Sequence, residues 1–285
     1  MNPPSLDPAA LRRIVRAAIE EDLGERGDLT TAAVVDAGCR GRGRIVARRE
    51  TVVAGIPVAR EVFLFLDPSL GFDACLPEGE RAGAGAVLAE VSGPARPILA
   101  GERTALNFLG RMCGIAASAR AAVEEVAGTG AVILDTRKTA PGLRILDKYA
   151  VAAGGCENHR LGLHDAVMIK DTHLAVAGPV GRAVARALAA GHPAARVTAE
   201  VRSLEEMEDA IRAGAGRVLL DNMDVATIRR CVERAAGRVL LEASGGLRPG
   251  ALRAVAATGV GFLSVGSLTH SVRAADVALE MEALR

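Results

Sequence analysis

A chain of 285 residues with a formal net charge of +1 is long enough for one α/β barrel, or for a smaller barrel with a companion domain, and gives no electrostatic case for a nucleic-acid or membrane partner. Five cysteines (Cys39, Cys75, Cys113, Cys156, Cys231) lack CxxC spacing, which argues against a disulfide framework or a structural zinc and for a cytoplasmic protein. With no Trp, one Tyr and five Phe, the core must come from Ala, Val, Leu and Ile, and a planar ligand must be held by its charged edges, which arginine suits.

In chain order, the first residues show no basic stretch followed by an apolar run, and no apolar segment is long enough to span a bilayer. Asp7 before Pro8 predicts an N-cap and an N1 proline for a helix whose stripe is Leu11, Ile14, Val15, Ala18 and Ile19, ending near Gly24. Residues 25–31 read as a polar loop. Short β-like runs at 44–47, 51–54 and 86–91 surround a helical stretch at 58–66, and the glycines of 79–85 read as turns because no P-loop lysine follows. A long helix runs from about Ile98 toward Ala127. The expectation is an N-terminal α/β sandwich over residues 1–112, a barrel catalytic domain over 113–273, and an amphipathic helix over 274–285 packing back on the first domain.

Six apolar runs follow, at 132–134, 166–169, 196–199, 218–220, 239–241 and 261–265, each ending in polar or charged residues and most separated by helical segments. That pattern predicts parallel βα units, and in a barrel the residues past the strand ends share one mouth. Lys170 directly follows its run and should project there, near Arg137, Lys138, His159 and Arg160. Glu200 and Asp221 also end strands, and such a pair can act as acid and base, bind Mg²⁺ through oxygen or stabilise a cationic transition state. Glu242-Ala243-Ser244-Gly245-Gly246 and Ser264-Val265-Gly266-Ser267 place glycine turns where barrel enzymes often bind phosphate. His270 belongs to the mouth, His173 reads as a hinge or cap, and His164 and His192 read as structural. No histidine pair has the spacing of a zinc site.

Taken in order, Glu21-Asp22-Leu23-Gly24, Gly27-Asp28-Leu29-Thr30-Thr31, Glu102-Arg103-Thr104-Ala105-Leu106-Asn107, Asp135-Thr136-Arg137-Lys138-Thr139, Asn158-His159-Arg160, Lys170-Asp171, Asp221-Asn222-Met223 and the Glu242 motif give the chain its character. Over essentially its whole length it resembles the quinolinate phosphoribosyltransferase (nicotinate-nucleotide pyrophosphorylase, carboxylating) family. The resemblance implies an N-terminal α/β sandwich and an open, incomplete TIM-like α/β barrel. It implies an enzyme of NAD biosynthesis that joins quinolinate to phosphoribosyl pyrophosphate with Mg²⁺, giving nicotinate mononucleotide, pyrophosphate and CO₂.

By the same resemblance, Thr136, Arg137, His159, Arg160 and Lys170 would hold the two carboxylates of quinolinate, with Arg103 supplied by the other subunit of a homodimer. Lys138 and His270 would face pyrophosphate. Glu200 and Asp221 would bind ribose hydroxyls and Mg²⁺, and Lys138, Lys170, Glu200 and Asp221 would carry the chemistry. Ser244, Gly245, Gly246, Ser264, Val265 and Gly266 would take the 5′-phosphate. Two positions depart from the family pattern: Cys156 replaces a usual glycine, leaving a thiol open to oxidation if exposed, and Thr172 replaces a common asparagine. Two other readings are a related phosphoribosyltransferase-like protein of molybdenum transport operons and a non-catalytic barrel binding a phosphorylated metabolite. The five cationic positions favour a dicarboxylate acceptor over the former, and the Glu200 and Asp221 pair favours catalysis over the latter.

Overall fold

Asp7 and Pro8 open α1 (Pro8–Leu23): the Asp7 carboxylate accepts the Ala10 amide at 3.0 Å, and Gly24 closes the helix at φ 51°. Leu11, Val15 and Ile19 form its buried stripe. The computed structural model describes residues 3–284. The expected loop at 25–31 instead runs into a helix, α2 (Leu29–Val34), because Asp28 accepts the Thr31 amide at 2.9 Å and supplies an N-cap. There follow β1 (Arg40–Ala47), β2 (Thr51–Val52), α3 (Ile56–Leu66), β3 (Gly71–Ala74), β4 (Arg81–Ala82), β5 (Val87–Pro94) and the long helix α4 (Ala95–Glu125). β2 pairs with β4 in a two-stranded ribbon.

The remaining elements are β6 (Val132–Leu134), α5 (Arg144–Ala153), β7 (Val167–Ile169), α6 (Asp171–Ala177), α7 (Val180–Ala189), β8 (Val197–Val201), α8 (Leu204–Arg212), β9 (Arg217–Asp221), α9 (Val225–Ala235), β10 (Leu240–Ser244), α10 (Leu252–Ala256), β11 (Phe262–Ser264), α11 (Ser267–His270) and β12 (Val277–Leu284). All six apolar runs of the second half became strands of one parallel sheet, in the order β6-β11-β10-β9-β8-β7. β6 and β7 are its two edges and do not pair with each other, which makes the barrel an open one.

The final segment corrects the sequence reading. Residues 277–284 form a strand, not a helix, pairing antiparallel with β1 over the full length of that strand. Ala, Leu, Met and Glu favour a helix intrinsically, but Val277, Leu279 and Met281 alternate with Ala278, Glu280 and Glu282, and the open edge of β1 decides between the two patterns. The first sheet thus has the order β12-β1-β5-β3.

Two compact units divide the chain differently from a cut at residue 112. One holds residues 3–120, Thr139–Gly155 and 271–284; the other holds Ala121–Lys138 and Cys156–His270. α4 is continuous through residue 112, and α5 belongs with the first unit. There, Arg111 makes a bidentate pair with the fully buried Asp147 of α5, at 2.8 Å on each side, and the same carboxylate accepts the Ala140 amide at 3.0 Å.

Candidate active site

Strand register determines which side chains meet. Side chains alternate across a strand, and in-register parallel neighbours present the same face. Glu200 stands opposite Leu219, Leu219 opposite Glu242, and Glu242 opposite Phe262; one pleat on, Asp221 stands opposite Ser244 and Ser244 opposite Ser264. One face of the sheet therefore carries Asp221, Ser244 and Ser264 at its carboxyl end, with Glu200, Glu242 and Phe262 one pleat deeper and Arg217 below them. The other face, with Ile169, Ala199, Val201, Val218, Leu220, Ala243 and Leu263, is buried and apolar, so the runs look almost continuously hydrophobic until the polar mouth is reached.

A cavity of about 380 Å³ opens at this carboxyl end. It is lined by Thr136, Arg137, Lys138, His159, Arg160, Lys170, Glu200, Asp221, Ser244, Gly245, Gly246, Ser264, Gly266 and His270, all expected from the sequence. Two expected residues are not among its lining. Val265 is fully buried and its amide donates to the Leu134 carbonyl at 2.9 Å, so that N–H belongs to the sheet. Arg103 is exposed on α4, in the other unit. Asn222, Glu242, Arg248 and Ser267 also line the cavity, and the sequence reading did not assign them.

Cations outnumber carboxylates around this space. Burial and the neighbouring Arg137 charge pull the Arg160 guanidinium below its ordinary value, partly offset by Asp165. Arg160 donates one Nη1 hydrogen to the Ala166 carbonyl at 2.8 Å, while its Nε is buried without a hydrogen-bond partner among the described residues, as is the Ser267 hydroxyl. Buried donors of this kind are costly unless something accepts from them, and two adjacent guanidinium groups call for an anion.

Local contacts hold these groups in place. Asp135, fully buried past β6, accepts the His159 amide at 2.7 Å and the Asn158 side chain at 3.0 Å, fixing the loop that carries His159 and Arg160. His173 caps α6 by accepting the Lys170 amide on Nδ1 at 2.9 Å, as one of its two expected roles required. Cys156 is 5% exposed, so the thiol at the departing position is packed away from solvent. Glu242 would be pushed up by burial, but His159, Ser264 and Arg217 together hold its carboxyl below the usual range.

The turns are equally specific. Gly245 has φ 95°, and a Cβ there would run into the Asn222 side chain. Asn222 itself sits at φ 53°, one of two described non-glycine residues in the left-handed region, with its amide bonded to the Ser244 carbonyl at 2.9 Å. A Cβ on Gly266 would lie 3.1 Å from the Lys138 Cδ and 3.2 Å from the His270 ring, so this glycine gives both side chains room.

Family models match nearly the whole chain: the quinolinate phosphoribosyl transferase N-terminal domain over residues 28–113 and its C-terminal domain over 115–280. The chain belongs to the quinolinate phosphoribosyltransferase family. Within that family it is 39% identical to the chloroplastic nicotinate-nucleotide pyrophosphorylase [carboxylating] of Oryza sativa subsp. japonica, over 98% of this chain and 80% of the relative. It is 38% identical to a probable nicotinate-nucleotide pyrophosphorylase [carboxylating] of Bacillus subtilis, over 95% and 93% respectively. The crystal structure of NadC from Streptococcus pyogenes superposes with a TM-score of 0.93 at 35% identity, covering 99% of this chain and all of that one. A Francisella tularensis nicotinate-nucleotide pyrophosphorylase structure gives 0.92 at 35% identity, covering 98% of each chain. Family membership agrees with the sandwich and open barrel seen here. No helix among the described residues is long and apolar enough to cross a membrane.

Proposed function

We propose that this chain transfers the phosphoribosyl group of phosphoribosyl pyrophosphate to quinolinate, releasing pyrophosphate and CO₂ and forming nicotinate mononucleotide. It is a phosphoribosyltransferase of NAD biosynthesis. The observation that carries the reading is one cavity in which Arg137, Lys138, Arg160 and Lys170 converge with Glu200 and Asp221. Both substrates are polyanions, and the aromatic-poor lining suits recognition by charge rather than by stacking.

In this reading Thr136, Arg137, His159, Arg160 and Lys170 take the pyridine dicarboxylate, using the unsatisfied Arg160 Nε donor noted above. The Ser244 to Gly246 turn, with Ser264 and Gly266, takes the 5′-phosphate, and Lys138 and His270 face the pyrophosphate. The ring nitrogen bonds to the anomeric carbon as the bond to pyrophosphate breaks. Glu200 and Asp221 stabilise the positive charge that develops there. The pyridinium then accepts the electron pair left as the 2-carboxylate departs, and that carbon takes a proton from water. No protein base is required before transfer, so positioning and preorganised charge supply most of the rate.

Two carboxylates at a site for a pyrophosphate fit Mg²⁺. Among the described residues no cluster of three or more His, Cys, Asp or Glu could cage a metal, and Mg²⁺ is commonly held by one or two carboxylates together with substrate phosphates. When bound, the ion would neutralise the leaving pyrophosphate, and Glu200 and Asp221 are the residues that would hold it.

The protein works as a homodimer in which Arg103 of the partner subunit completes the quinolinate pocket. Arg103 is exposed in its own chain, and Leu161, Leu163 and Val176 of the barrel unit are exposed apolar side chains of the kind a partner covers. The test of the activity is direct: purified protein, Mg²⁺, quinolinate and phosphoribosyl pyrophosphate should yield CO₂ and the mononucleotide. No turnover, or equal turnover of nicotinate, would overturn the proposal.

A further inference from the structure

Glu242 sits one pleat deeper than Ser244 on the cavity face of β10, with no solvent exposure. One of its oxygens accepts a short hydrogen bond from the Ser264 hydroxyl. The other stands 3.4 Å from His159 Nε2 and 3.2 Å from Arg217 Nη1, and Arg217 lies over the Phe262 ring at 4.2 Å from its centroid. His159 accepts the Arg160 amide on Nδ1 at 2.7 Å, so Nε2, the nitrogen beside Glu242, carries the ring proton.

A buried carboxylate is costly unless each oxygen is satisfied, and here each is. Two of its three partners, His159 and Ser264, themselves line the cavity. We infer that Glu242 is a positioning residue shared by the two: it holds the His159 ring in place at the dicarboxylate subsite and the Ser264 side chain in place at the 5′-phosphate subsite. The identity of the two subsites rests on the function proposed above; the relay of contacts through Glu242 does not. Glu242→Gln removes the charge that Ser264, His159 and Arg217 face and leaves one acceptor oxygen in place of two, so its hold on both lining side chains is weakened.

The experiment compares KM for both substrates in the unsubstituted enzyme, Glu242→Gln, His159→Ala, Ser264→Ala and the two double variants. Glu242→Gln should raise KM for quinolinate and for phosphoribosyl pyrophosphate by about tenfold each, since hydrogen bonds to a charged group carry effects of that size. His159→Ala should raise the first alone and Ser264→Ala the second alone, and adding Glu242→Gln to either should not raise that KM further. Unchanged KM values, or fully additive effects, would overturn the inference. A second measurement needs no folded variant: ¹⁵N spectra of the histidine rings in the unsubstituted protein should show His159 protonated on Nε2 and bare on Nδ1. A proton on Nδ1 would overturn the relay. Should quinolinate not turn over at all, the functional reading fails, while the ring spectrum still decides the relay.

Discussion

Lys170 Nζ stands 3.2 Å from Glu200 Oε2, with Glu200 nearly buried and Lys170 much more open. Each has a prospective partner in the substrates, a carboxylate for Lys170 and the ribose centre for Glu200, so in the free protein each occupies the other. Substituting Glu200→Gln should lower kcat by about 10² to 10³, the scale for losing a charge aimed at a transition state, without raising KM for quinolinate, because Lys170 is then released. Steady-state kinetics with both substrates varied would check this. A kcat within about threefold of the unsubstituted enzyme would remove Glu200 from the chemistry.

If Arg103 of the partner subunit completes each quinolinate pocket, Arg103→Ala and Lys170→Ala should each be inactive alone and partly active when mixed. A heterodimer has one site lacking both groups and one retaining both, so an equal, fully exchanged mixture should regain on the order of a quarter of the activity. Exchange is followed by mass or a fluorescent label. Full exchange without regained turnover would place Arg103 outside the pocket.

Gly245 and Gly246 should respond differently to alanine. At Gly245 the backbone has φ 95° and the Asn222 side chain fills the space a methyl group would need, whereas Gly246, at φ 64°, has open space. Gly245→Ala should cost about 1–3 kcal/mol from backbone strain alone, with a further loss from the Asn222 clash, and should raise KM for phosphoribosyl pyrophosphate. Gly246→Ala should cost about 1 kcal/mol, since αL is the mildest of the strained regions for a side chain. Urea unfolding of the two variants decides this; equal losses would mean that the Asn222 packing carries no weight.

The barrel was legible in the sequence because its signal is local. Each run of three to five apolar residues is buried on one face by helices, and each polar terminus marks the mouth. Lys170, Glu200 and Asp221 could be placed from their own neighbours. The strand 277–284 was not legible, since its partner β1 lies over 230 residues away and only the open edge of that strand overrides helix-forming composition. Glu242 is a similar case. It begins a visible motif, yet its partners His159, Arg217 and Ser264 come from three other segments, and only register brings them together.

Glu242 also determines how the barrel unit should respond to acid. Its folded-state carboxyl is held below the ordinary value of 4.5, so the unfolded chain binds the proton more readily than the folded one. The stabilisation it provides is therefore fully present above that ordinary value and is lost as pH falls through the folded value beneath it. Glu242→Gln has no such proton to take up. It should be less stable than the unsubstituted protein at pH 7, and the gap should narrow as the solution is acidified below about 4.5. Urea unfolding of both proteins between roughly pH 7 and 3 measures the gap directly. Parallel curves, or a gap that widens on acidification, would mean that His159, Ser264 and Arg217 do not outweigh the burial of this carboxylate.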